Sequence, residues 1–364
     1  MELISNWIKA QLANPQLVGL VLVLTALTLT VYLAGQVLAP VIAAMIIAYL
    51  LTGLVRRLRS IKVPRLIAVG LAYLLFVSIL VTVVFGLVPL LVRQLTQLVA
   101  QVPQIMSDAQ NLLLALPSQY PTLFSEEQIR QVVSGIGAEL VSEGQRLVSF
   151  SVTSAVTLLT LAIYLILVPF LVFFMVRDED RIVSWLVGFL PRDRQLTDTV
   201  WAEVNEQIGN YIGGKAWEIV IVGIVSFIVF SFLELQYAVL LAAVTGFSVL
   251  VPYVGAAMVT LPVALVAYFQ WGFTADFLQV VIAYGVIQAL DGNVLSPLLF
   301  SEAVNLHPVA IIVAILVFGG MWGFWGVFFA IPLATVIHAV IRAWPRGDDG
   351  DAGADDNSLE SQTP

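Results

Sequence analysis

The sequence predicts an all-α, polytopic membrane protein with about six full spans and two broken, re-entrant helical hairpins. Three observations predict it. Hydrophobic residues make up 60% and charged residues 11% of the 364, against about 45–50% and 25% in a soluble domain. Several apolar runs reach the roughly 20 residues that a helix needs to cross about 30 Å of hydrocarbon. Two later apolar blocks are too long for one crossing and carry helix breakers at their centres. For the bulk of the chain this excludes a soluble enzyme, a nucleic-acid binder and a disordered scaffold. Cysteine is absent, which removes disulfides and thiolate chemistry.

The elements are taken in chain order. Residues 1–16, with Leu3, Ile4, Trp7 and Ile8 beside Lys9, are expected as an N-terminal interfacial segment. Residues 17–92 hold three transmembrane helices, at Leu17–Leu33, Val37–Val55 and Leu66–Val92. Residues 93–150 are expected as extracytoplasmic amphipathic helices. In the first, Leu91, Leu95, Leu98, Val102 and Ile105 recur at helical spacing. A second starts at Ser125, with Gln128 placed for a capping box. Residues 151–176 supply the fourth transmembrane helix, and 177–215 a cytoplasmic amphipathic segment led by Arg177, Asp178, Glu179, Asp180 and Arg181. Residues 216–345 form the expected transport core. It contains a crossing helix, a hairpin broken at Val251–Gly255, a helix ending at Asp291-Gly292-Asn293, and a second hairpin broken between Gly319 and Gly326. Residues 346–364 read as a disordered acidic tail, which carries Asp348, Asp349, Asp351, Asp355, Asp356 and Glu360 and most of the net charge of −8.

Orientation comes from the basic residues. With both termini cytoplasmic and every span alternating, only Arg93, Arg130 and Arg146 of the 16 Lys and Arg fall outside. The last third of the chain carries a weak duplication signal: Leu235 aligns with Leu306, Phe247 with Phe318, Gly255 with Gly326 and Pro262 with Pro332. In this topology the two units are inverted repeats, a plan common among secondary transporters.

Unsatisfied backbone inside lipid is costly, so a helix broken at membrane depth must be covered by protein or line a wet cavity. An acid there costs about 2.5–3.5 kcal/mol on insertion scales and usually faces a pathway. Asp291 is therefore the leading candidate. Gln288 and Tyr284 lie on the preceding turns, Asn293 and Ser296 come after it, and Pro252, Tyr253 and Gly255 form the other break. The competing reading is a plain turn at the cytoplasmic surface. Glu302, His307, Trp322 and Trp325 are secondary candidates. Glu218, three residues after Lys215, reads as an interfacial ion pair. No HExxH, GxSxG or P-loop motif is present, so no catalytic residue, metal site or cofactor is expected.

Four features then carry a resemblance: the Arg177–Arg181 cluster with Phe189-Leu190-Pro191, the stretch Tyr211-Ile212-Gly213-Gly214, the break Val251–Gly255, and the run through Asn293, Pro297, Leu306-His307-Pro308 and Gly326 to Ile331-Pro332. Together they resemble the bacterial autoinducer-2 exporter family of permeases, over about residues 15–345. Asp291 stands where that family often has Glu. The resemblance implies a multi-pass protein of the bacterial plasma (inner) membrane with cytoplasmic N- and C-termini, and a homo-oligomer. Some members are linked to autoinducer-2 export, others to sodium or lithium exchange for protons. Three functions are thus expected in order: a secondary transporter or facilitator exporting a small polar solute, a sodium(lithium)/proton antiporter using Asp291, and a non-transporting membrane scaffold. The expected partners are the lipid bilayer and either a small polar solute or a monovalent cation, with no nucleic acid.

Overall fold

The structure, a computed structural model, describes residues 15–114, 155–188, 195–252, 254–300 and 307–343, with four isolated positions between 127 and 142. Tyr253, Glu302, the 1–14 segment, the acidic tail and nearly all of the second outer helix lie outside the described residues. Every described element is helical: α1 (Pro15–Ser60), α2 (Arg65–Thr82), a π-turn (Val83–Leu87), α3 (Val88–Leu114), α4 (Ala155–Arg177), α5 (Glu179–Val187), α6 (Gln195–Phe232), α7 (Ala238–Ser248), α8 (Val254–Trp271), α9 (Ala275–Leu290), a second π-turn (Asp291–Leu295), α10 (Ser296–Phe300), α11 (Pro308–Trp322) and α12 (Phe324–Ala343). Among the described residues, six stretches are long and apolar enough to cross a membrane: Val37–Ser60, Arg65–Ile105, Thr160–Arg177, Asn205–Phe232, Val254–Trp271 and Ala275–Phe300.

Two expectations about breaks change. Leu17–Leu33 and Val37–Val55 are not separate spans, because α1 runs through both without a turn. Ala34 and Gln36 favour helix, and a lone Gly35 costs only about 1 kcal/mol, too little to end one. Nor does the chain break at Asp291-Gly292-Asn293. There the helix widens into a π-turn, in which the Ser296 N–H donates to the Asp291 carbonyl, five residues back, and then continues to Phe300.

The chain forms two compact units, one of residues 31–189 and 209–301, the other of 1–30, 190–208 and 302–364. In the first unit, Ala44, Ala48, Ala68 and Ala72 let α1 and α2 approach closely, and Val172 and Val176 of α4 complete the cluster. A second cluster joins Phe230 and Leu235 to Leu241, Val259, Val263, Val280 and Tyr284, holding the first hairpin, α7–α8, against α6 and α9. Polar groups finish that hairpin. Gln94 of α3 accepts from the Leu240 N–H at 2.8 Å, capping the start of α7. Gln270 accepts from the Gln236 N–H and donates to the Glu234 carbonyl, closing the turn after α6. The second hairpin, α11–α12, belongs to the other unit.

Each hairpin pairs a short arm with a longer one: 11 and 18 residues in the first, 15 and 20 in the second. At 1.5 Å per residue, the 11-residue arm covers only about 16 Å. In each, a glycine opens the second arm directly against a carbonyl near the end of the first: Gly255 against Ser248 and Gly326 against Phe318. Each second arm then carries a proline, Pro262 or Pro332. Gly255 and Pro262 thus have counterparts in Gly326 and Pro332 within their own hairpins, whereas Leu306 lies outside the described residues.

Candidate functional site

The first unit buries a charged cluster where α6, the tip of the first hairpin and the second π-turn meet. Its local origin is the Tyr211-Ile212-Gly213-Gly214-Lys215 run. Gly214 leaves no room for a side chain because the Phe300 ring lies against it, and Tyr211 flanks that ring at 6.0 Å. The glycine therefore lets α10 close over the next residue, Lys215, whose ammonium sits 5.1 Å from the Phe300 ring centroid.

Lys215 is 5% exposed and Glu218 2%. The Lys215 ammonium donates to Glu218 Oε2 at 2.5 Å and to the Val249 carbonyl at 2.7 Å. Val249 is the residue that ends α7, so the cation also meets the negative end of a helix. The other Glu218 oxygen accepts from the Ser296 hydroxyl at 2.8 Å. Asp291 opens the π-turn that carries Ser296 to Glu218, and its carboxyl feels the charges of both Glu218 and Lys215. Its Oδ1 is enclosed and has no hydrogen-bond partner, as is the Nε2 of Gln288. Val222, Val249 and Ile287, with Ile219 and Leu295 beside them, form an apolar collar next to the cluster. Two acids and one base share the cluster, with the Lys215–Glu218 pair buried and Asp291 half-buried beside it. A buried charge left over in this way is costly unless something cancels it.

The sequence-derived candidates separate in space. Asp291 and Ser296 belong to this cluster. Tyr284 is buried against Phe230 and donates its hydroxyl to the Ala256 carbonyl at 2.8 Å, tying α9 to the start of α8. Asn293 is exposed and donates to the Ala289 carbonyl at 2.8 Å, which helps satisfy the widened turn. Pro252 lies in the turn of the first hairpin, and Gly255 is buried against the Ser248 carbonyl. In the other unit, His307 caps α11 by accepting from the Val309 N–H at 3.2 Å. Trp322 stacks on Phe318 at 5.7 Å with its indole N–H enclosed and unpartnered, and Trp325 stacks on Phe329.

Lys215 and Glu218 are the residues that sequence reasoning places elsewhere. They do pair, and the pair is buried within the protein. The available signal is position: both lie inside the apolar run that begins after Gly213-Gly214, where a surface pair is out of place. Among the described residues no group of three or more His, Asp or Glu could hold a metal ion.

Comparison with known proteins points to a membrane-transport family. Residues 20–346 match the AI-2E family transporter. The chain is 42% identical over 347 residues to the protein named "Putative permease PerM" of Escherichia coli (strain K12), covering 95% of this chain and 98% of that one. It is 29% identical over 307 residues to "Putative transport protein YueF" of Bacillus subtilis (strain 168), covering 82% of each. A second protein of that organism, "Putative transport protein YrrI", is 26% identical over 309 residues, covering 83% of this chain and 85% of that one.

Proposed function

The chain belongs to the AI-2E family of transporters, and from that premise we propose that it is a secondary transporter exporting a small polar solute through the first unit, at the Lys215–Glu218–Asp291–Ser296 cluster. It is a multi-pass protein of the bacterial inner membrane. The observation that carries the proposal is a pair of enclosed polar atoms without partners, Asp291 Oδ1 and Gln288 Nε2, on the turns that bring Ser296 to the fully buried Glu218. Buried polar atoms are almost always paired, and the exceptions call for a ligand or a functional reason. A neutral, hydroxyl-rich solute would supply both donors and acceptors there.

The test is reconstitution into liposomes, with uptake of a solute panel measured with and without imposed pH and sodium gradients. Transport of at least one solute, lost or reduced at least tenfold in Asp291→Asn, is the expected result. Vesicles that move no solute under any gradient would point instead to a non-transporting scaffold.

One observation favours a second reading, a sodium(lithium)/proton antiporter. The cluster holds two acids against one base, so one monovalent cation or one proton restores neutrality. Under this reading, exchange depends steeply on pH and disappears in Asp291→Asn. Unchanged sodium-driven proton flux in that variant would remove it.

A further inference from the structure

We propose that Lys215 is a built-in counter-ion that sets the capacity of the site at one monovalent positive charge, and so fixes the coupling ratio of transport. The proposal rests on the transporter reading above and concerns how that site is regulated. Within the site, Lys215 faces Glu218 and Asp291, and their charges sum to one excess negative.

The ammonium is tethered rather than exchangeable. It holds a carboxylate at 2.5 Å, the carbonyl of the α7 C-cap residue at 2.7 Å and an aromatic face at 5.1 Å. Such charge-assisted bonds are short and strong, and a lysine cannot leave its backbone. It is therefore already occupying one of the two negative equivalents before any solute ion arrives. The remaining equivalent falls on Asp291, whose Oδ1 is enclosed and unpartnered. The side chain is half-buried, and its enclosed oxygen gains from a counter-charge that reaches it. One proton or one alkali cation completes the site, and a second would add uncompensated positive charge to a water-poor interior.

This gives each charge variant its own count. Lys215→Met leaves two acids and no base, so the site takes two cations. Glu218→Gln leaves one acid and one base, and the site takes none. The double variant Lys215→Met/Glu218→Gln leaves Asp291 alone and returns to one. Lys215→Arg keeps the cation and keeps the count at one. A role in packing alone would not generate this order.

The measurement is equilibrium binding of radioactive sodium ion to the full-length, detergent-purified protein at alkaline pH, counted per chain. In parallel, solute flux is measured in vesicles with and without a sodium gradient. The expected counts are one for the wild type, two for Lys215→Met, none for Glu218→Gln, and one for both the double variant and Lys215→Arg. Should Lys215→Met fail to fold, the loss in Glu218→Gln and the single ion in Lys215→Arg still decide the matter. Wild-type protein that binds no sodium, or a count unchanged between the wild type and Glu218→Gln, overturns the proposal. Wild-type vesicles that transport no solute overturn the transporter reading, whatever the binding counts show.

Discussion

At the scale of single residues, glycines and charges behave differently according to what faces them. A side chain at Gly255 would run into the Ser248 carbonyl, which is backbone and cannot swing aside, whereas one at Gly292 would meet nothing within 4 Å. Gly255→Ala is expected to lower stability by about 1–3 kcal/mol, the usual cost of overpacking. Gly292→Ala should leave it unchanged or slightly raised, since alanine is the better helix former. Thermal unfolding of the two variants in detergent checks this, and equal midpoints would contradict it. Gly255 and Asp291 are legible in the sequence, because a Pro-Gly break and an acid within apolar runs both stand out by position. The depth of Lys215 and Glu218 is not. An (i, i+3) pair has the same spacing at a wet surface as in an interior, and only the Phe300 ring over Gly214 shows which it is.

At the scale of elements, the two π-turns share a cause that the linear pattern hides. Val83–Leu87 leads into Val88-Pro89, and Asp291–Leu295 into Ser296-Pro297. Proline lacks the N–H of an ordinary helix and its ring clashes with the carbonyl four residues back. Widening by one residue moves that carbonyl away while the helix continues. From sequence, Asp291-Gly292-Asn293 with Pro297 reads as a break, because the same residues end helices in water. Here Asn293 donates to the Ala289 carbonyl and supports the wide turn. The extra residue also rotates α10 about the helix axis, which places Ser296 on Glu218. Pro297→Ala removes the reason for widening, and a regular helix would turn Ser296 away from Glu218 by about 100°, the angle per residue at 3.6 per turn. The expected result is a folded protein, monodisperse in detergent, whose transport rate falls at least tenfold. Full transport in that variant would show that the π-turn does not position the cluster.

At the scale of the whole molecule, the path across the membrane is what the hairpin arms constrain. Five of the six long apolar stretches, and the two hairpins as paired helices, are readable from the sequence, since length and apolar composition alone bound how much helix lipid can hold; the sixth stretch, Val254–Trp271, is an arm of the first hairpin. The uninterrupted course of α1 is not, because nothing local separates a long helix from two short ones when the junction is Ala34-Gly35-Gln36. Within the first unit, the basic loop between α1 and α2 should lie in the cytoplasm. Three crossings, α2 with α3, α4 and α6, then put the end of α6 outside, and a hairpin returns the chain to the side it left. The chain has no cysteine, so single cysteines report cleanly. Ile61 is 69% exposed and Phe273 86%. An impermeant maleimide should label Ile61→Cys only after permeabilisation and Phe273→Cys in intact cells. The decisive position is Val251, in the turn after α7. An arm of 11 residues covers about 16 Å, roughly half the hydrocarbon, so a tip reached by that arm ends within the bilayer. A small charged thiol reagent can reach Val251→Cys there only through water. Reaction from the cytoplasmic side, slowed when transported solute is added, is the outcome a re-entrant hairpin beside a wet pathway requires. A Val251→Cys thiol that stays inert to charged reagents but reacts with a lipid-soluble one would put the tip in dry surroundings and leave the Lys215–Glu218–Asp291 cluster without a route to either side.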